Sequence, residues 1–132
     1  MEFDHADIYR DLNHLKDAFR RLIELIPSTG CLLACSDYAA VREVVEPARC
    51  RLLYYGGATS TDWTARNVAM QNGKSFFEPF YRGRTDGVVE LALIGRHNVQ
   101  NALAVYAMGR ELGIDTGKLR DGLATFAGVK RR

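Results

Sequence analysis

The sequence predicts an α/β fold: a parallel strand-helix-strand crossover, a small antiparallel sheet and two C-terminal helices. Three observations predict it. Two short apolar runs, Cys31–Cys35 and Arg51–Tyr55, bracket a helical pattern, which is the grammar of a right-handed crossover. Asn72-Gly73 and Asp86-Gly87 punctuate three strand-like runs, as hairpin turns do. Apolar residues then return to steps of three and four from about residue 97 onward.

Taken in order, residues 7–26 read as one amphipathic helix. Ile8, Leu12, Leu15, Phe19, Leu22 and Ile26 form a single stripe, Asp7 stands as the cap, and Pro27 with Gly30 ends it. Cys31–Cys35 has no polar face, so a strand buried on both sides is expected. Ser36 or Asp37 caps a helix through about Ala48, with Val41, Val44 and Val45 on its apolar side. Arg51–Tyr55 is the second strand and stops at Gly56-Gly57. The runs Trp63–Met70, Ser75–Tyr81 and Val88–Ile94 make an antiparallel meander. A helix over 97–112 buries Val99, Leu103 and Tyr106 and ends at Gly113. Asp115 or Thr116 caps the last helix, whose inner face is Leu119, Leu123 and Phe126.

Composition narrows the function classes. The 132 residues carry 18 Lys and Arg against 16 Asp and Glu, a net charge of +2, too balanced for a protein that coats nucleic acid. No apolar run approaches the ~20 residues of a membrane span, and the polar start MEFDHADIYR lacks the basic and apolar regions of a secretory signal. Three cysteines, Cys31, Cys35 and Cys50, are too few and too odd in number for a disulfide framework; they read as small buried hydrophobes of a cytoplasmic protein. No Walker-type phosphate loop, GxGxxG, GxSxG or HExxH occurs.

Three places are odd as scaffolding. Glu2-Phe3-Asp4-His5-Ala6-Asp7 gathers three carboxylates and an imidazole, a set that can ligate a hard cation or simply cap and complement a helix dipole. Gly95-Arg96-His97-Asn98-Val99-Gln100-Asn101 puts two amides three residues apart at a helix start. Amides offer donor and acceptor to a purine edge; alternatively Asn98 is only an N-cap and Asn101 a solvated residue. Lys130-Arg131-Arg132 follows Gly128 and is either a phosphate-binding fork or a frayed basic tail.

In this order and at these spacings, the three places resemble the Mur ligases, which add amino acids or peptides to the bacterial cell-wall precursor. Asp4-His5 is similar to the end of the family's Asn-x-x-x-Asp-His segment, Gly95-x-His97-Asn98-x-x-Asn101 to its GxHNxxN, and Gly128-Val129-Lys130-Arg131-Arg132 to its GVxxR. The resemblance covers essentially the whole chain and implies the C-terminal half of the central, P-loop-type ATP-binding domain. It implies that His5 helps hold Mg2+, that His97, Asn98 and Asn101 meet ATP at its base end, and that Arg132 meets its phosphates. His5 and Arg132 would then be the catalytic pair.

Within the family, the string EFDHADIY resembles the murein peptide ligases of the recycling pathway. These join UDP-N-acetylmuramate to L-alanyl-γ-D-glutamyl-meso-diaminopimelate through an acyl phosphate. GVKRR is shared by that group and by the UDP-N-acetylmuramate–L-alanine ligases, the alternative within the family. The family's phosphate loop, UDP-sugar domain and C-terminal domain have no counterpart in residues 1–132, so the chain reads as a single excised fragment, inactive alone. A stand-alone binding module, dimeric through its thin sheet, is the alternative from another class.

Overall fold

The computed structural model describes residues 11–58 and 60–129. Two compact units divide the chain, Met1–Tyr54 and Tyr55–Arg132.

The first unit contains α1 (Leu12–Glu24), β1 (Cys31–Cys35), α2 (Ala39–Val45) and most of β2 (Arg51–Tyr55). β1, α2 and β2 form the expected crossover, with β2 next to β1 and the Arg51 N–H donating to the Gly30 carbonyl at 3.2 Å. Ile23, Ala34, Val44 and Val45 make the core, flanked by Leu32, Val41 and Leu52. Four expectations need correction. The proposed cap Asp7 lies outside the described residues, and Asp11 caps α1 instead: its backbone is extended and its carboxylate accepts from the His14 N–H at 2.8 Å. The stripe on α1 is sunk only at Leu15, while Phe19 and Leu22 stay exposed. Neither Ser36 nor Asp37 caps α2. Tyr38 holds that position without a side-chain bond, because Ser36 turns inward, 7% exposed, and its carbonyl accepts from Arg42 Nε. β1 buries only Ala34, since it has β2 as its one neighbour among the described residues, and all three cysteines are half-buried.

The second unit contains β3 (Trp63–Gln71), β4 (Lys74–Tyr81), β5 (Arg84–Thr85), β6 (Val89–Leu91), α3 (Arg96–Glu111) and α4 (Thr116–Thr125). Tyr55, at the end of β2, pairs in parallel with Trp63. β3 and β4 are antiparallel from Trp63↔Tyr81 to Gln71↔Lys74 and are joined by Asn72-Gly73, both at positive φ as a tight hairpin turn requires. The second hairpin is not at Asp86-Gly87. Arg82-Gly83 turns β4 into β5, with Arg82 held at positive φ by its N–H on the Asp62 carbonyl and its guanidinium on the Asp62 carboxylate. The expected third strand, Val88–Ile94, is shortened to β6, the unexpected two-residue β5 precedes it, and both pair with β4.

Asp86 is instead drawn toward the helices. Its carboxylate accepts from the Tyr106 hydroxyl at 3.2 Å and pairs with Arg110 at 3.4 Å. Arg120 on α4 donates to the carbonyls of Asp86 and Val88, both at 2.6 Å. α3 buries Val99, Leu103 and Tyr106 as its periodicity requires, with Trp63 edge-on to Tyr106. Asp115 caps α4, accepting from the Lys118 N–H at 3.2 Å. Leu119 and Leu123 are buried, but Phe126, expected on the same inner face, is 48% exposed.

Candidate functional site

The loop that ends the sheet and starts α3 is built around Gly95. Its φ of 116° and ψ of 150° lie where a side chain is strongly disfavoured, so the residue at the α3 N-cap has a backbone reason to be glycine. Asn98 is not the cap. It sits in the first turn and its amide donates to the Ile94 carbonyl at 2.9 Å. Asn101, one turn on, is exposed, and its amide makes no hydrogen bond among the described residues. His97 points elsewhere: it is exposed and does not line the cavity that takes in the two asparagines.

That cavity has a volume of about 310 Å³. On one side α3 contributes Asn98, Asn101, Ala102 and Val105. On the other stand Leu123 and Phe126, with Leu91 and Leu93 between. Gly128 and Val129 complete the rim. Gly128 has φ 91°, and a Cβ there would lie 3.2 Å from a Leu93 methyl, so the chain passes close over Leu93 only as glycine.

The chemistry of the lining is two amides on an otherwise apolar wall. Such a surface suits a flat, uncharged ring with a polar edge: apolar side chains cover its faces and amides match its donors and acceptors. The volume is at the small end of small-molecule pockets, enough for a base rather than a whole nucleotide. No titratable group lines it, so the described part of the site offers binding and orientation, not proton transfer.

Of the residues singled out in the sequence, Asn98 and Asn101 are thus brought together, beside the first two residues of the GVKRR segment. His5, with Asp4 and Asp7, and Arg132, with Lys130 and Arg131, lie outside the described residues. Sequence reasoning missed Phe126, Val105 and Leu93. Phe126 closes an apolar series and reads as core; the one hint to the contrary is Gly128 two residues later, which turns the chain before that face is covered.

The chain matches the Mur ligase middle domain over residues 1–109. It is 33% identical to the UDP-N-acetylmuramate–L-alanine ligase of Caldanaerobacter subterraneus subsp. tengcongensis, covering 100% of this chain and 29% of that protein. It is 36% identical to the enzyme of the same name from Salinibacter ruber, covering 100% of this chain and 28% of the relative. The chain therefore spans less than a third of the length of these curated relatives. Among solved structures it resembles the UDP-N-acetylmuramate:L-alanyl-γ-D-glutamyl-meso-diaminopimelate ligase of Neisseria meningitides. That match has a TM-score of 0.81 and 31% identity and covers 98% of this chain and 39% of that one. A murein peptide ligase from Psychrobacter arcticus shares the fold, with a TM-score of 0.77 at 23% identity over 93% of this chain and 26% of that one.

Proposed function

The chain belongs to the Mur ligase middle-domain family, and on that premise we propose that its α3–α4 cavity receives the base of ATP in a ligase that extends UDP-N-acetylmuramate. The observation that carries this reading is the meeting of Asn98, Asn101 and the Gly128-Val129 rim in one small, mostly apolar cavity. Asn101, with no hydrogen bond of its amide among the described residues, can offer it to a purine edge, Phe126 and Val105 offer apolar cover, and Gly128-Val129 leads directly into Lys130-Arg131-Arg132.

ATP supplies the activation that lets a carboxylate accept an amine, through an acyl phosphate. This chain's part is to hold the nucleotide's base so that its phosphates reach the reacting carboxylate. Positioning and cationic stabilisation dominate phosphoryl transfer, and Arg132 is the guanidinium proposed for the phosphate end. For Mg2+, His5 is the residue proposed to help hold the ion. Among the described residues no group of three His, Cys, Asp or Glu side chains is close enough to hold a metal ion, so no step is assigned to one.

For the amine, the EFDHADIY string and the likeness to the Neisseria enzyme support the tripeptide L-alanyl-γ-D-glutamyl-meso-diaminopimelate. The 33% and 36% identities favour L-alanine as the second reading. A full-length protein carrying this sequence, given ATP, UDP-N-acetylmuramate and either amine, should release phosphate and form the coupled product with the tripeptide. Product with L-alanine alone would select the second reading, and product with neither would refute both. In the same assay Asn101→Ala should raise the KM for ATP with little change in kcat. An unchanged KM would overturn the assignment of the cavity to the base.

A further inference from the structure

Ser75 is a hydroxyl where the pattern calls for a hydrophobe. It is fully buried in β4, opposite Met70 of β3 and Leu91 of β6, and two residues from the equally buried Phe77 on the same face. A hydroxyl in such surroundings is costly unless it is bonded. Its Oγ accepts from the Gly95 N–H at 3.2 Å. The carbonyl of the same peptide unit, that of Ile94, accepts from the Asn98 amide at 2.9 Å. The Ile94–Gly95 peptide plane is thus gripped from both ends, by a buried side chain of the sheet and by the first asparagine of the cavity.

We infer that Ser75 is a positioning residue for the nucleotide-base cavity: through the Ile94–Gly95 peptide it fixes the rotamer of Asn98 and the starting angle of α3. The physical reason lies in Gly95. A glycine at φ 116° has no side chain to restrict it, so the peptide before it can rotate unless a partner holds its N–H. Rotation would turn the Ile94 carbonyl away and release the Asn98 amide. Ser75 removes that freedom from a side chain that is itself fully buried. Asn101 then meets the ligand from a helix of fixed direction. The inference rests on the base-binding reading above and adds to it a residue that never touches the ligand.

The test uses this chain, 5′-AMP as the probe, and 15N NMR. In the native sequence, AMP should shift the amide signals of Asn98, Asn101, Ala102 and Val105 in a saturable way. Ser75→Ala should weaken that binding about fivefold, the equivalent of one hydrogen bond. It should also speed hydrogen exchange at the Gly95 amide and move the two Asn98 side-chain proton shifts toward those of a free asparagine amide. Ser75→Thr, which keeps the hydroxyl, should recover the exchange protection. Phe77→Leu, which loosens the same face without touching the peptide, should lower stability and leave the affinity unchanged. Equal AMP affinity in Ser75→Ala and the native chain would overturn the inference. If the native chain shows no AMP shifts at the cavity, the base-binding reading fails. The positioning role is then judged on Gly95 exchange and the Asn98 side-chain signals: both unchanged in Ser75→Ala overturns it, and both loosened upholds it.

Discussion

Gly109 on α3 and Gly122 on α4 should respond in opposite directions to one chemical change. Replacing a helical glycine by alanine gains about 1 kcal/mol, from backbone entropy and helix propensity. At Gly122 nothing lies within 4 Å of the new methyl, so that gain is unopposed and Gly122→Ala should stabilise the protein by about 1 kcal/mol. At Gly109 the methyl would sit 2.3 Å from one Leu119 methyl carbon, 3.0 Å from the other and 3.2 Å from its Cγ. Leu119 is only 9% exposed and has little room to swing away. Overpacking of this kind costs about 1–3 kcal/mol, which exceeds the propensity gain, so Gly109→Ala should destabilise by about 1 kcal/mol. The two variants should differ by about 2 kcal/mol in urea unfolding followed by circular dichroism. Because Leu119 shares α4 with Leu123, a lining residue of the cavity, Gly109→Ala should also disturb the cavity signals and Gly122→Ala should not. Stabilisation by both variants would refute the claim that α3 and α4 meet too closely for a methyl at Gly109.

Tyr106 should ionise late. Burial raises its pKa above the ordinary 10.0, and the Asp86 charge and hydrogen bond push it further in the same direction. A group whose folded value is raised contributes stability below the unfolded value, and that stability is lost as pH rises through the folded one. Ultraviolet titration should therefore show one phenol that deprotonates above the ordinary range; Asp86→Asn should bring it down, and an unchanged midpoint would refute the coupling. In the first unit, the hydrogen bond from Lys16, at 2.6 Å, and then its charge lower the Glu43 pKa below 4.5. That contribution is present above pH 4.5 and fades as pH falls through the lowered value. Lys16→Gln should return the carboxyl titration, followed by 13C NMR, to the ordinary range, and a titration left in place would sink the pairing.

The elements were legible wherever the signal was local. The helix around Val99, Leu103 and Tyr106 follows from a three-and-four spacing that only a helix can bury on one side. The Asn72-Gly73 turn follows from residues that tolerate positive φ, and Asp115 announces the start of α4 by its side chain. Signals that compete are less readable. Asp86-Gly87 has the composition of a hairpin turn, but Tyr106, Arg110 and Arg120 reach it from residues 20 to 34 positions away and hold it as a connection between β5 and β6. Arg82-Gly83 makes the turn instead because Asp62 is across the sheet to grip Arg82.

The same division runs through the candidate site. The sequence alone picks out Asn98, Asn101 and the GVKRR segment, and ties them to one family, because the amide pair and the glycines that frame it are constraints written at short range. It cannot say that Asn98 spends its amide on the Ile94 carbonyl while Asn101 keeps its own, that Phe126 faces a cavity rather than the core, or that a serine inside the sheet holds the peptide before Gly95. Each of those facts depends on which groups meet after the chain has doubled back. Hydrogen bonds and burial are properties of pairs and surroundings, and tertiary packing alone chooses the pairs.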